Sequence, residues 1–446
     1  MLGIAVSEAD DAAEHVAEHL FALADWERRE DAARPPADGG GTVYHIEGVE
    51  LRTFAALHLD TAGVAAAFDD PDLIVFPSRH AGDTGRLLTA HHTGNFGDAE
   101  YGGEPRALAR ACPHAHRRVL AALREHAPEE YDVGTECTHH GPSDVGAPSM
   151  FVEVGSGPEQ WTDPDAARAV ARAILDLRGV GSDADREDGT RRHLVGFGGG
   201  HYAPRFERVS RETDWAVGHV AADWALADLD PDADRAVIER AFAESAADYA
   251  LLAEGGERFA AVIEDLGYRP VDETWVRETD GVPLGLVARL EDAVATIDDG
   301  LRFGAPAAGY EGDVTVVDLP DDLLAAARGI DAGAVREAVA DVALAFDTEQ
   351  SGTQVTGPFA VHDVGDREAL IDALADLLAA DYDAVGREDG ALVARETAFD
   401  PDLARERGVS EGPAFGRLAD GEAVEVDGEA VAPDDVTRER VRRFEL

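Results

Sequence analysis

Ten of the sixteen histidines in this chain fall between residues 80 and 201: His80, His91, His92, His114, His116, His126, His139, His140, His193 and His201. Imidazole both titrates near neutrality and binds transition metals, so such crowding marks a site. Four segments carry it: SRHAGDTGRLLTAHHTGN (78–95), TECTHHGP (135–142), PSMFVEVGSGPEQW (148–161) and GFGGGHYAP (196–204). The third contributes Glu153, a carboxylate inside an otherwise apolar strand, which needs either a partner or a function. His80, His92, His139, His140 and His201 lie in glycine-rich stretches after strands and read together as one site. His114, His116, His126 and His193 sit on or beside helices and read as capped, core or solvated residues.

Other chemistries are excluded by their motifs. GFGGGH lacks the dinucleotide fingerprint, because Pro204 stands where the helix should open. The chain has no lysine at all, hence no phosphate-binding GxxxxGK[ST], and it has no GxSxG nucleophile elbow. HAHRR (114–118) lacks the aspartate of an HxHxDH metal motif and falls in a predicted helix.

The elements that position these segments alternate. Strands are predicted at 2–6, within 42–56, at 73–76, 87–90, 131–135, 150–154 and 194–197. Helices are predicted after Ser7 as N-cap, from Thr61, over 105–127, and from Pro164 to about Arg178. This alternation predicts an α/β fold, a three-layer α/β/α arrangement with a mixed central sheet whose strand ends gather the four segments. Acidic amphipathic helices are predicted at 233–253 and 366–380, a polar loop at 181–190, and turns with a small hairpin over 408–436. The expected division is 1–265 as the α/β domain, 266–385 as an acidic α+β insertion, and 386–446 as a tail.

Acids number 91 against 39 bases, all arginine, for a formal charge of −52. That excludes a generic cationic nucleic-acid binder and a basic membrane-surface protein. With lysine absent, the composition is that of a salt-adapted, halophilic protein. Two cysteines, Cys112 and Cys137, outside any CxxC, fit a reducing compartment. No signal peptide or membrane-length apolar run is visible, so a soluble cytoplasmic monomer is expected.

Together, SRHAGDTGRLLTAHHTGN, THHGP, PSMFVEVGS and GGGHYAP resemble the archaeal and plant family of D-aminoacyl-tRNA deacylases, the zinc-associated second type. The resemblance covers roughly residues 1–225 and the GPAFGRLADGEAV tail. It implies hydrolysis of the ester between a D-amino acid and the 3′-terminal ribose of tRNA, with zinc as cofactor and D-aminoacyl-tRNA as partner. It also implies a fold related to peptidyl-tRNA hydrolases and nucleoside phosphorylases. Usual members are shorter, which makes the 266–385 stretch an addition.

Two mechanisms fit the residues: a His-bound Zn²⁺ activating water, or a His general base with backbone amides holding the oxyanion. Candidates for catalysis are His80, His140, Glu153 and His201; candidates for metal binding are His80, His92, His139, His140 and Glu153. Gly199 and Gly200 are expected to reject the L-amino acid by close backbone approach. Two arginine islands flank the histidines, and Arg106, Arg110, Arg117, Arg118, Arg191, Arg192 and Arg205 are the expected tRNA contacts. Alternatives are a zinc-dependent hydrolase of a small ester or amide, which would act equally on free D-amino acid esters, and a non-catalytic metal-binding regulator, which would bind metal without turnover.

Overall fold

A computed structural model describes residues 1–184 and 190–446. Part of the polar loop expected at 181–190 therefore lies outside the described residues. The chain divides into two compact units, Met1–Asp280 and Gly281–Leu446.

The first unit begins with β1 (Leu2–Ser7), α1 (Asp11–Leu23), β2 (Glu27–Asp31), β3 (Gly41–Ile46), β4 (Val49–Phe54), β5 (Leu73–Arg79) and β6 (Leu87–His91). There follow β7 (Gly94–Asn95), β8 (Ala107–Leu108), α2 (Pro113–His126), β9 (Asp132–Thr135), β10 (Ser149–Gly155), α3 (Pro158–Trp161) and α4 (Pro164–Leu175). Eight strands form a mixed sheet in the order β2-β3-β4-β1-β5-β10-β6-β9. β1, β4, β5 and β10 run parallel, and β6 is antiparallel to β10. β1 is buried along its whole length, as a central strand covered on both faces must be. Apolar side chains of α1, α2 and α4 pack onto one sheet face against Ile4, Val75, Leu88 and Val152.

Several boundaries differ from the sequence reading for local reasons. The cap of α1 is Asp10, whose carboxylate accepts from the Ala12 and Ala13 amides; Ser7 instead donates its hydroxyl to Ala56 O at 2.8 Å. α2 opens at Pro113 rather than 105, since proline at the first helical position loses no internal hydrogen bond. The residues before it run extended through β8.

The strand predicted at 194–197 belongs to a second sheet, not to the first. Here β11 (His193–Phe197), α5 (Pro204–Glu212), β12 (Ala216–Ala221), α6 (Asp223–Ala227), α7 (Arg235–Ser245), β13 (Tyr249–Leu252), α8 (Ala260–Asp265) and β14 (Arg269–Val271) follow one another. Four parallel strands stand in the order β12-β11-β13-β14. The helix expected over 233–253 stops at Ser245, where Ala246 turns left-handed (φ 44°) and the chain re-enters as β13.

In the second unit, strands Arg302–Phe303, Thr315–Val317, Ala345–Glu349 and Gln354–Val361 form an antiparallel sheet. Helices Asp321–Ile330, Ala332–Val342 and Gly365–Leu378 accompany it. Leu392, Ala394 and Phe444 share one core with Val317, Phe346 and Leu374. Residues 386–446 are thus not a separate tail: the antiparallel strands Ala391–Phe399 and Thr437–Glu445 carry apolar residues that complete this core. Val424–Val426 and Glu429–Val431 form the small hairpin expected within 408–436.

Candidate active site

β10 lies between β5 and β6, with Glu153 opposite Ser78 on one side and Thr89 on the other. Strand side chains alternate, so Ser78, Thr89 and Glu153 share a face with Phe76, His91 and Phe151. Val75, Leu88, Val152 and Val154 point the other way into the helix-covered core.

Three loops close over the polar face. His80 follows β5, its amide donating to Val154 O at 2.9 Å. Glu136, Cys137, His139 and His140 follow β9. His201 arrives from the loop after β11. Glu136 and Glu153 are both buried, and His80 stands between them, its Nδ1 3.4 Å from Glu136 Oε1 and 3.5 Å from Glu153 Oε2. The Ser78 hydroxyl donates to Glu153 Oε1 at 2.7 Å, and the Thr89 hydroxyl donates to Glu136. His201 Nε2 lies 2.8 Å from Glu136 Oε2, and its Nδ1 is 3.6 Å from Cys137 Sγ. Tyr202 OH contacts His80 Nε2 at 3.2 Å.

Ser78, His80, His139, His140, Glu153 and His201 line a cavity of about 430 Å³, with Leu57, Leu59 and Phe151 as apolar wall and Asp10, Arg79 and Tyr101 as polar rim. Two buried carboxylates require positive charge nearby. The His80 imidazole supplies part of it: burial works against its charged form, but Glu153 and Glu136 prevail and raise its pKa above the ordinary value. Bonds to Cys137 and Glu136 raise that of His201 to about 10.

His91, His139 and His140 form a second cluster, their ring centroids 4.3 to 4.8 Å apart. Each has Nδ1 against a backbone carbonyl: His91 with His92 O (3.1 Å), His139 with Cys137 O (2.9 Å) and His140 with Gly141 O (2.7 Å). Donation from Nδ1–H leaves Nε2 as the nitrogen open to a metal, the usual preparation of a metal-binding histidine; at His91 burial opposes the charged ring, but Glu153 beside Nε2 raises its pKa. His91 Nε2 is buried without a hydrogen-bond partner and 3.5 Å from Glu153 Oε1. One donor atom from each ring lies within 4.8 Å of the others; the same holds for Cys137, His139 and His201, and for His80, Glu136 and Glu153. His140 adopts a left-handed backbone (φ 46°), strain of the kind concentrated at functional sites.

The structure thus brings His80, His139, His140, Glu153 and His201 together, and removes His92. That ring faces away, its Nδ1 against Gly218 O at 3.0 Å, buried beside His116 and His219. Neighbours at the end of β6 point to opposite sides, so only one of the adjacent pair can enter the site, and it is His91. Sequence reasoning also passed over Glu136 and Cys137. Both stand inside TECTHHGP, but one acid among 91 carries little signal by itself.

Gly199 and Gly200 are not among the residues that line this cavity. The glycine that matters is Gly155, where a Cβ would come within 2.6 Å of the His80 ring.

The arginine islands are largely committed within the protein. Arg192 is buried, donating to Thr279 O and facing Asp214 at 3.2 Å, which corrects its assignment as a tRNA contact. Arg106 pairs with Asp234, Arg110 with Asp183, and Arg205 with Glu273; Arg191 lies 4.0 Å from Asp183. Arg117 donates to Ser210 O and Thr213 O. An acid-rich chain folds with its bases against its own carboxylates. Arg118 remains exposed, beside Arg117, Arg124 and Arg211 in a small pocket whose one carboxylate is Glu207.

Burial pushes the pKa values of His58, His116 and His219 down to about 4. Unfolded, they titrate near 6.5, so between these values the unfolded chain binds protons that the folded chain refuses. Stability is therefore expected to fall as pH drops from about 6.5 toward 4, these three contributing a slope approaching three protons. Thermal unfolding in molar KCl across this range tests it, with His116→Phe expected to remove one proton from the slope.

A family model described as D-aminoacyl-tRNA deacylase matches residues 67–268. A protein of that name from Haloarcula marismortui is 59% identical, covering 100% of both chains. The chain belongs to the D-aminoacyl-tRNA deacylase family. Another member, from Natronomonas pharaonis, is 55% identical over 100% of both chains; one from Methanoregula boonei is 33% identical over 85% of this chain and 86% of its own. The acidic second unit is therefore shared with haloarchaeal members of the D-aminoacyl-tRNA deacylase family rather than private to this chain. The crystal structure of a conserved protein of unknown function, AF0625, aligns with a TM-score of 0.55 at 27% identity, covering 63% of this chain and 98% of that one. Among the described residues no helix is long and apolar enough to cross a membrane.

Proposed function

We propose that this chain hydrolyses the ester joining a D-amino acid to the 3′-terminal ribose of tRNA, in the cavity between β5, β10 and the three loops. The observation carrying this reading is the convergence of His80, Glu153, His139, His140 and His201 on one cavity, with Glu136 paired to His80 and His201, in a member of this family. The apolar wall of Leu57, Leu59 and Phe151 suits an amino-acid side chain.

A zinc ion suits the donor set. Three imidazoles have Nδ1 turned to backbone carbonyls and Nε2 left for a metal, one of them a buried orphan, and two buried carboxylates stabilise a cation. His91, His139 and His140 would hold it, with Glu153 on the Nε2 side of His91. Zinc so bound would supply Lewis acidity toward the ester carbonyl and lower the pKa of water to about 7.

The remaining steps belong to the chain. The leaving ribose oxygen needs a proton, and His80, kept charged by Glu136 and Glu153, holds one at the cavity wall. Glu153 also orients both rings, its Oε2 toward His80 and its Oε1, which takes the Ser78 hydroxyl, toward His91. Glu136 keeps His201 charged and anchored. Selection for the D-form falls to the cavity wall that faces the α-carbon. Phosphate contacts with the tRNA fall to the exposed Arg118, at short range, because the Debye length in molar salt is about 3 Å.

The test is one assay in high KCl: D- and L-tyrosyl-tRNA, with and without chelator. Rapid release of D-tyrosine, little of L-tyrosine, and loss of activity on chelation restored by zinc are expected. Equal release from both substrates removes the chirality reading, and full activity without metal removes the zinc reading.

A further inference from the structure

The cavity rim carries two groups that the hydrolytic chemistry leaves without a task. Tyr101 lines the cavity and is 68% exposed, so its ring stands in solvent at the cavity rim. It is also held firmly. Gly141 N donates to Tyr101 O at 2.9 Å, tying the ring's backbone to the segment that carries His139 and His140. Asn95 Nδ2 donates to Gly102 O and Glu104 O, and Glu104 N donates to Ser143 Oγ at 2.8 Å. Gly102 turns left-handed (φ 78°) against Leu59 O, where a Cβ would meet that oxygen at 2.5 Å. The loop is preorganised with its ring in solvent.

Arg79 is the second group. It is half-buried in the cavity wall and lies over the Trp161 ring at 5.5 Å. Among the described residues no carboxylate lies within 4.0 Å of its guanidinium, although most arginines of this unit are paired. Asp10, its acidic neighbour in the cavity, is already engaged by the amides of Ala12, Ala13 and Arg79. A guanidinium left open beside a reaction site awaits an anion.

The substrate chemistry says which anion. In an aminoacyl ester the amino acid has lost its carboxylate and carries only an ammonium. The one anion covalently near the ester is the phosphodiester on the terminal nucleotide, and the one flat unpaired surface near it is that nucleotide's base.

We propose that Tyr101 and Arg79 form a clamp for the 3′-terminal nucleotide of the tRNA, Tyr101 stacking on the unpaired base and Arg79 binding the adjoining phosphodiester. The clamp rests on the deacylase reading and specifies how that site takes a nucleotide ester in preference to a simple one. Stacking of unpaired bases on aromatic rings is sequence-tolerant and resists salt better than phosphate contact alone, which suits a protein of this composition.

The test compares D-tyrosyl-tRNA, the D-tyrosyl ester of adenosine, and D-tyrosine methyl ester on the full-length protein loaded with zinc. Tyr101→Ala is expected to lower the ratio of kcat/KM on the tRNA to that on the methyl ester at least tenfold, through KM, and the adenosine ester should show the same loss. Tyr101→Trp restores the ratio, since stacking needs only a ring. Arg79→Met, which keeps an apolar stem over Trp161, is expected to lower the tRNA ratio about tenfold but not the adenosine ratio, because adenosine has no phosphodiester. Equal losses on all three esters would overturn the clamp and assign Arg79 to the oxyanion or the product carboxylate. A wild-type protein that fails to cleave D-tyrosyl-tRNA at all would instead overturn the deacylase reading beneath it.

Discussion

His91→Ala is expected to lose about 10²-fold or more in kcat, together with most of its bound zinc, while melting near the wild-type temperature. His92→Ala is expected to do the reverse. The two residues adjoin in sequence and are both buried, yet their rings meet different neighbours. His91 presents a partnerless Nε2 to the site beside Glu153, so truncation removes a lone pair from the donor set. His92 fills a space next to His116 and His219 and bonds to Gly218 O, linking β6 to β12. Its loss opens a cavity and leaves a buried carbonyl unpaired, at a cost of roughly 2–4 kcal/mol. Metal content by atomic absorption, kcat on D-tyrosyl-tRNA and thermal unfolding in molar KCl separate the two. Identical effects of both substitutions would remove the assignment of His91 to the metal.

Glu153→Gln should lower kcat by about 10²- to 10³-fold with a much smaller change in KM. The substitution keeps size and can still accept from Ser78, so the strand register survives. What disappears is the negative charge shared by His80 and His91. Burial alone lowers a histidine pKa; without Glu153 that effect meets only Glu136, and the pKa of His80 shifts downward. Sign follows from that direction: the acid form of His80 is lost as pH rises, so the alkaline limb of the kcat profile should move to lower pH in the variant. A profile that keeps its shape and position while kcat falls would show that Glu153 acts otherwise than through His80.

Much of this was legible in the chain itself. Strand-terminal loops rich in glycine and histidine announce a site because few other uses exist for such residues in such places. Glu153 declared itself by standing in an apolar strand. The four quoted segments pointed to the family before any coordinates, and the absence of lysine pointed to a saline habitat.

Other features could not be read along one dimension. Whether His91 or His92 enters the site depends on the face that β6 shows, and that is set by its pairing with β10. Glu136 became recognisable only when folding placed it 3.4 Å from His80, a residue 56 positions away. The arginine islands looked available because charge was counted locally; most of their partners, such as Asp234, Glu273 and Asp214, come from distant sequence. Residue type and spacing determine what a segment can do and which residues share a face. Only the order of strands in the sheet determines which faces meet, because burial and charge pairing are settled between segments that never adjoin in the chain.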